Sequence, residues 1–448
     1  MADRFDVVVV GARCAGAPLA ALLARRGLRV CLVDRARFPS EVPSTHVIQP
    51  PGVATLARLG LLGAIDATGA PPIDRGRFVV DDLTIDFDPE SMGRLGAPMY
   101  CVRRVTLDQA LVHAAAEAGA EVRTQTPVVG LIDHDGVVQG VRTRAGPIAA
   151  SLVVGADGPA SAIARLVGSR EYHRTPPGRL FLWGYFEGAA EVDGRIRLGK
   201  VGDQGMLAAP TDAGLFMAAV APSHHQKEHY LADPARGLAE GISHFEDLAD
   251  LLAGAQRVGP VRTMARWHGY FREATGPGWV LVGDAGHVKD PTPGQGIADA
   301  LRQVEHLAPA IESGLGDGTV GARLAAWARW RDEDAWEMHW FATDLGAAGP
   351  TAAIVVDMIR GITRRPAGVE SFLRVLAHDI PPSRLFTGGR AMRSLARLVV
   401  AHPRQLALLG SEAATLVRED ARRRRRRRHP ELVGLPGVGG PVGDKKVA

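Results

Sequence analysis

Cysteine is nearly absent from this chain. Its 448 residues include three, Cys14, Cys31 and Cys101, an odd number with no CxxC pair. That pattern excludes a disulfide framework and a CxxC-type zinc site, no metal is expected, and the chemistry fits a reducing, cytoplasmic compartment. Lysine is scarce too: before the last few residues there are only Lys200, Lys227 and Lys289. No apolar run approaches the roughly 20 residues that cross a bilayer. The N-terminus runs straight into an apolar strand rather than a charged segment followed by a leader-like stretch. No internal repeat is present. With 46% hydrophobic and 23% charged residues the composition is that of a globular chain, long enough for two or three domains.

The net charge of +4 misleads. Arg422 to Arg428 are seven consecutive arginines, and without them acidic residues outnumber basic ones. The body therefore has no basic surplus with which to hold nucleic acid. The run itself reads as a solvated, frayed tail, with binding of polyphosphate or contact with an anionic membrane surface as the weaker alternatives, and 421–448 is expected to be disordered. Nothing in the sequence fixes an oligomeric state.

The order of elements predicts an α/β protein. Phe5 to Val10 is a short all-apolar run of the kind a buried parallel strand needs. A Gly-containing turn, an Ala/Leu-rich helix to Arg26 and a second strand, Arg29 to Val33, follow it. Arg77 to Phe87 is strand material, Val105 to Glu117 a helix, Val128 to Thr143 a hairpin, and Leu152 to Val154 a return to the first sheet. From about Pro176 the pattern changes to strands separated by Gly- and Asp-rich turns, and from Gly296 nearly everything reads as helix. The expected architecture is a Rossmann-like dinucleotide-binding domain with an inserted antiparallel β-sheet domain and a C-terminal helical region. The boundaries are 1–175 for the first part of the nucleotide domain, with inserted strands, 176–270 for the sheet, 271–315 for a second nucleotide-domain part, 316–420 for the helices and 421–448 for the tail.

Gly11-Ala12-Arg13-Cys14-Ala15-Gly16 follows a strand, opens a helix and precedes a second strand ending at Asp34, the context that distinguishes a dinucleotide fingerprint from a chance match. Gly11 permits the tight turn, and Gly16 permits close packing of helix on strand. Ala15 and Arg35 flank the expected contacts, and the helix N-terminus offers N–H groups to a pyrophosphate. Asp34 is placed to accept from ribose hydroxyls. Arg13 occupies the middle glycine position, which it can do if its side chain points outward and its guanidinium covers the phosphates or adenine, and it is counted with the cofactor contacts. Cys14 is expected to pack against the sheet.

Some 270 residues later, Trp279 to Gly283 leads into Asp284-Ala285-Gly286-His287, and then Pro291-Thr292-Pro293-Gly294-Gln295-Gly296-Ile297. This stretch resembles the GD motif of FAD-dependent monooxygenases of the para-hydroxybenzoate hydroxylase type, a scaffold shared with geranylgeranyl reductases and flavin-dependent halogenases. An aspartate at a strand end can accept from a ribityl hydroxyl, and a Pro/Gly loop opening a helix can lay N–H groups along a flavin. Gly155 to Ser161, with Asp157, is similar to the family's DG motif. It departs at Ala160 and in the late basic residue Arg165, so the electron donor is less firmly specified than the flavin. Arg104 matches the arginine of the family's R-x-x-L helix start. Val128 is counted with the cofactor contacts.

The resemblance implies bound FAD, NAD(P)H as a transient reductant, addition of O₂ at flavin C4a, and oxygen transfer from the resulting hydroperoxide to an aromatic or polyketide-like small molecule. It places His46 and His287 as candidate catalytic residues and Trp183, Tyr185, Met206 and Met217 at the substrate. Reduction of an isoprenoid-type alkene is the first alternative and halogenation the second, although the W-x-W-x-I-P signature of halogenases is absent. A non-catalytic prenyl-binding escort protein is the remote third. Lys289, inside the flavin loop, is expected at the surface more readily than at the active site.

Overall fold

The computed structural model describes residues 4–42, 44, 46–190 and 194–435. The chain begins with β1 (Arg4–Val10), α1 (Gly16–Arg25) and β2 (Val30–Val33), then β3 (Val47–Ile48), α2 (Pro50–Arg58) and α3 (Leu62–Asp66). A hairpin of β4 (Arg75–Val80) and β5 (Leu83–Phe87) precedes α4 (Pro89–Gly93), β6 (Tyr100–Cys101) and α5 (Arg104–Glu117). Next come β7 (Glu121–Arg123), β8 (Val128–His134), β9 (Val137–Thr143), β10 (Gly146–Gly155), α6 (Ala162–Leu166) and β11 (Arg170–Thr175).

The first sheet has the order β18-β19-β10-β1-β2-β7, where β18 is Thr275–Gly276 and β19 is Trp279–Leu281. β1, β2, β7, β10 and β19 pair in parallel, and Val7 to Val9 and Val30 to Val33 are buried on both faces, which explains their unbroken apolar sequence. Leu19 and Leu23 of α1 are fully buried against this sheet, each contributing about 1.5–3 kcal/mol.

The second sheet is β12 (Phe181–Glu187), β13 (Arg195–Val201), β14 (Gln204–Pro210), β15 (Phe216–Pro222) and β16 (Gln256–Met264), joined by β4 and β5 in the order β16-β12-β15-β14-β13-β4-β5. Two expectations are corrected here. The strand segment near Arg77 to Phe87 belongs to this sheet, through parallel pairing of β4 with β13, and not to the nucleotide domain. The 176–270 segment also carries three helices, α7 (Lys227–Ala232), α8 (Pro234–Ser243) and α9 (Glu246–Leu252), which cover the outer face through Leu238, Ile242 and Leu248.

β17 (Gly269–Arg272), β20 (His287–Val288), β11 and a C-terminal β21 (Val433–Gly434) make a third sheet. The remaining helices are α10 (Gly296–Asp317), α11 (Val320–Leu345), α12 (Ala353–Ile362), α13 (Pro366–Leu376), α14 (Gly388–Ala401) and α15 (Leu406–Arg428). Val356, Ile359, Phe372 and Leu373 of α12 and α13 close over the inner face of the second sheet, with Phe78 and Phe372 edge to face at 5.2 Å. The arginine run departs from its expectation as a frayed tail: it is the last turns of α15, and β21 beyond it pairs with β11. Residues 436–448 of that expected tail lie outside the described residues.

Candidate functional site

The glycine turn is built as its sequence requires. Gly11 has φ +102°, and a Cβ there would lie 2.4 Å from the Ala156 carbonyl oxygen; a Cβ on Gly16 would lie 1.8 Å from the Gly11 oxygen. Both positions exclude any larger residue. Asp34 ends β2 and accepts from the backbone N–H of Ala12 at 2.8 Å and of Ala36 at 2.7 Å, fixing the turn to the second strand. Its own carbonyl accepts from Thr126 at 2.8 Å, which brings the segment leading to Val128 alongside; Val128 itself is half-buried against the sheet. Arg35 is exposed beside Asp34. No described side chain caps the start of α1 at Ala15; Ala17 N–H bonds Arg13 O at 3.0 Å and Pro18 has no N–H, so within the first turn the Gly16 N–H is the donor left for an anion.

Arg13 turns away from the turn's mouth. Its guanidinium is 2.5 Å from the Asp108 carboxylate, bonds Ser40 Oγ at 3.0 Å and lies over Phe38 at 5.2 Å. Arg104 takes the same carboxylate at 2.9 Å, and Cys14 Sγ approaches it at 3.5 Å. Asp108 is fully buried, so one carboxylate holds two guanidinium groups between α1 and α5. Burial pushes the Cys14 thiol up to about 12, opposed by Arg104, so the expected packing role stands and no thiolate forms. For Arg104, burial opposes the charge, yet Cys14 and Asp108 hold its pKa above the ordinary value. Asp108 was missed in the sequence, although its i,i+4 spacing from Arg104 is a visible signal.

Asp157 is committed to local structure. Its carboxylate accepts from Ser161 Oγ at 2.5 Å and from the N–H groups of Ala162 and Ile163 at 2.6 and 3.2 Å, capping α6 together with Ser161. Asp284 is the opposite case. Its carboxylate is exposed and receives no hydrogen bond from any described residue. Partial desolvation by the neighbouring protein raises the carboxyl to about 6, opposed by Arg104 and Arg272, with Asp299 adding to the effect. Gly283 has φ +61°, and a Cβ on it would meet Ala15 at 3.0 Å, so the two motifs are in direct contact.

Beyond Asp284, Pro291 to Gly294 closes a turn through Gly294 N–H to Pro291 O at 2.8 Å, and Gln49 ties it down by donating to Pro293 O at 3.0 Å. Gly294 has φ +65°, and Gly296, where a Cβ would meet no described atom within 4 Å, is exposed at the N-terminus of α10, whereas the Ile297 side chain is buried in the core behind it. The Gln295 side chain points away from the loop, donating to Leu376 O at 2.6 Å. Lys289 is neither on the surface nor free. It is buried and ion-paired with Asp299 at 2.6 Å, and His378 Nδ1 meets the other Asp299 oxygen at 2.7 Å. The cradle closed to any Cβ at Gly11, the uncapped α1 and the unbonded Asp284 carboxylate together fit a flavin dinucleotide.

The two candidate histidines separate. His46, at φ +63°, is buried beside β3, its Nε2 hydrogen-bonded to the Tyr185 hydroxyl, its ring stacked on Tyr185 at 5.7 Å and edge-on to Trp183 at 5.8 Å. Burial drives its pKa down to about 3, with Arg104 adding, so it is a neutral hydrogen-bonding group at ordinary pH. Val47, next in sequence, lies 3.8 Å from where a Gly294 Cβ would be, which puts His46 one residue from the flavin loop. His287 sits elsewhere, in β20 between Phe271 at 4.3 Å and His339, whose Nδ1 is 3.3 Å from its Nε2. It is buried in the seam between the third sheet and α11, and packing accounts for it.

Trp183, Tyr185 and Met217 share the inner face of the second sheet. Met206 faces the other way, packing with Leu238 and Phe216 under the outer helices. In β14 the inner face belongs to Leu207 and Ala209, one residue out of step with Met206. Arg103, missed in the sequence, lies over the Tyr185 ring at 5.9 Å and pairs with Asp212 at 2.8 Å.

Comparison with known proteins agrees with this geometry. The FAD binding domain family matches residues 4–342. Menaquinone reductase of Mycolicibacterium smegmatis is 30% identical over 327 residues, 70% of this chain and 78% of that one. The 6-methylpretetramide 4-monooxygenase of Streptomyces rimosus is 28% identical, over 69% of this chain and 76% of that one. Among solved structures, a flavoprotein/dehydrogenase from Cytophaga hutchinsonii has a TM-score of 0.73 at 19% identity, covering 93% of this chain and 100% of that chain. The myxobacterial chondrochloren halogenase has a TM-score of 0.70 at 22% identity, covering 85% and 98%. These last two show a shared fold. A cradle that admits only glycine, an unbonded aspartate beside a Pro/Gly loop and a family match over most of the length lead to one conclusion: the chain belongs to the FAD binding domain family and is a FAD-dependent oxidoreductase.

Proposed function

We propose that the enzyme is an NAD(P)H-dependent monooxygenase that takes O₂ and an aromatic or polyketide-like small molecule in the cytoplasm. The observation that carries this reading is the His46–Tyr185 pair, a neutral imidazole joined to a phenol beside the flavin loop on an aromatic sheet face. When bound, FAD supplies the two-electron redox chemistry. The chain's own residues do the rest. Gly11, Gly16 and the α1 N-terminus hold the pyrophosphate, with Asp34 at the ribose and Asp284 at the ribityl chain. Trp183, Tyr185 and Met217 form an apolar wall that excludes water and orients a flat substrate. His46, kept neutral by burial, takes or gives a proton through a ring nitrogen in hydrogen-bonding contact with Tyr185.

The named monooxygenase relative supports the oxygenation, and the named menaquinone reductase keeps alkene or quinone reduction as the second reading. Halogenation is the third reading: halogenases share the fold, while Lys289 is ion-paired with Asp299 and the Lys200 ammonium donates to Ala347 O at 3.0 Å. The test is anaerobic reduction of the yellow holoenzyme by NADPH or NADH, with and without phenolic substrates, followed by admission of ¹⁸O₂. Incorporation of one labelled oxygen into product supports the proposal. Saturation of an alkene or quinone without label overturns it in favour of the reductase.

A further inference from the structure

The arginine run is divided by the helix it forms. Arg423 and Arg427, four apart, turn onto α11: Arg423 pairs with Asp344 at 2.5 Å and lies over Trp340 at 5.2 Å, and Arg427 meets Glu333 and lies over Trp336 at 5.3 Å. Arg424 turns outward to Asp420 at 2.8 Å. Arg422, Arg425, Arg426 and His429 fall at i, i+3, i+4 and i+7, a single helical face. That face lines a cavity of about 750 Å³ whose opposite wall is the end of β11, with Arg174 and His173. The size is that of a small-molecule site, roughly 300–1,000 Å³.

The cations on this wall are poorly neutralised from within. Arg425 has no side-chain partner among the described residues, and the carboxylate near Arg422, that of Glu419, is 3.6 Å away. Arg426 rests on the Trp340 ring at 5.7 Å; burial, then repulsion from Arg422, depresses its pKa. Arg174 reaches Glu171 at 3.3 Å, but Glu171 already serves Arg272 and His268 at 2.9 Å each. Glu431 is the one carboxylate among the lining residues. The site is also held in shape, because the inward arginines clamp α15 to α11 and β21 pairs with β11 just beyond it. Arg422, Arg425 and His429 are exposed on this face, and an anion seated among them relieves the repulsion of like charges held on one helix face. Several planar guanidinium forks on one wall match the oxygen geometry of phosphate.

We infer that this cavity binds a phosphate-bearing polyanion of pyrophosphate size or larger, free or as part of a nucleotide. The inference is independent of the flavin site and of the proposed oxygenation.

The experiment is calorimetric titration of the full-length, FAD-saturated protein with inorganic pyrophosphate at low and moderate salt, with NADP⁺ and NAD⁺ as separate arms. One-to-one binding that weakens with salt is expected. Arg422→Gln and Arg425→Gln should each weaken it about tenfold, while Arg424→Gln, on the outward face, leaves it unchanged. Both positions are exposed, and unchanged circular dichroism and FAD content will show the variants are folded. Competition between NADP⁺ and pyrophosphate identifies a nucleotide ligand, and pyrophosphate binding without competition identifies a free one; both support the site. Absence of saturable pyrophosphate binding at low salt, or equal affinity in wild type and Arg425→Gln, overturns it.

Discussion

Arg13 reaches across 95 positions of sequence to bring its guanidinium within 2.5 Å of Asp108. The arginine that replaces the middle glycine of the fingerprint is therefore a bolt between α1 and α5. Asp108→Asn should leave Arg13 and Arg104 without their shared counter-charge, at a cost of about 3–5 kcal/mol. Urea denaturation will measure the loss, and the variant should also purify with less FAD. Unchanged stability would show that the two arginines find other partners.

Gly11→Ala meets both a positive φ and a Cβ position 2.4 Å from backbone. Backbone cannot swing aside as a side chain can, so the turn must open. Flavin absorbance of the purified variant should be lost even where soluble protein is obtained.

Acid should destabilise the protein between pH 6 and 4. His46 and His339 are depressed to about 3, His173 to about 4 and His287 well below its ordinary value, each mainly by burial. In that window the unfolded chain protonates these histidines and the folded one does not, so stability falls as pH falls. Asp284 and Asp290, raised to about 6 by desolvation, and Asp157, raised by burial, work in the opposite direction, since the folded state binds their protons first. The four histidines outnumber the three carboxylates, and each net proton is worth about 1.4 kcal/mol per pH unit. The urea midpoint measured at pH 6, 5 and 4 should fall steadily. A midpoint that rises would show that the carboxylates dominate.

Trypsin should probe the arginine helix directly. Docked on Trp336 and Trp340, the run should be cut slowly in the native protein. Trp340→Ala removes the ring beneath Arg423 and Arg426, each contact worth about 0.5–1 kcal/mol. Cleavage within 422–428 should then accelerate several-fold, as read by mass spectrometry. Equal rates would mean that β21 and the ion pairs suffice.

Tyr185→Phe keeps the ring and removes the hydroxyl that meets His46. It should retain FAD and lower product turnover at least tenfold, with NADPH consumption continuing. Met206→Leu, on the outer face, should leave KM unchanged. If the two variants behave alike, the inner face is not the substrate wall.

What could be read from the sequence divides by range. Gly11, Gly16 and Asp34 were legible because each is required by a turn or strand end within a few residues. The placement of Met206 was not, because α7 to α9 cover the outer face of the second sheet and make both faces of β14 apolar, so alternation carries no signal. The pairing of β4 with β13 joins segments about 120 residues apart and leaves no local mark. The arginine run reads as a repelling tail until Asp344, Glu333 and the two tryptophans, some 80 to 95 positions earlier, are seen beneath it.

The contact between Gly283 and Ala15 also bears on the order of synthesis. The N-terminal turn precedes β10, which pairs with β1, and β19, which lies beyond β10, while the aspartate and loop that complete its cleft come about 270 residues later in the chain. The first half of this chain contains β1, β2, β7 and β10 of the sheet but neither β19 nor the aspartate and loop that complete the cleft. Cofactor capture is thereby deferred until about two thirds of the polypeptide has emerged, which makes FAD a ligand of the nearly finished protein and not a template for its first domain.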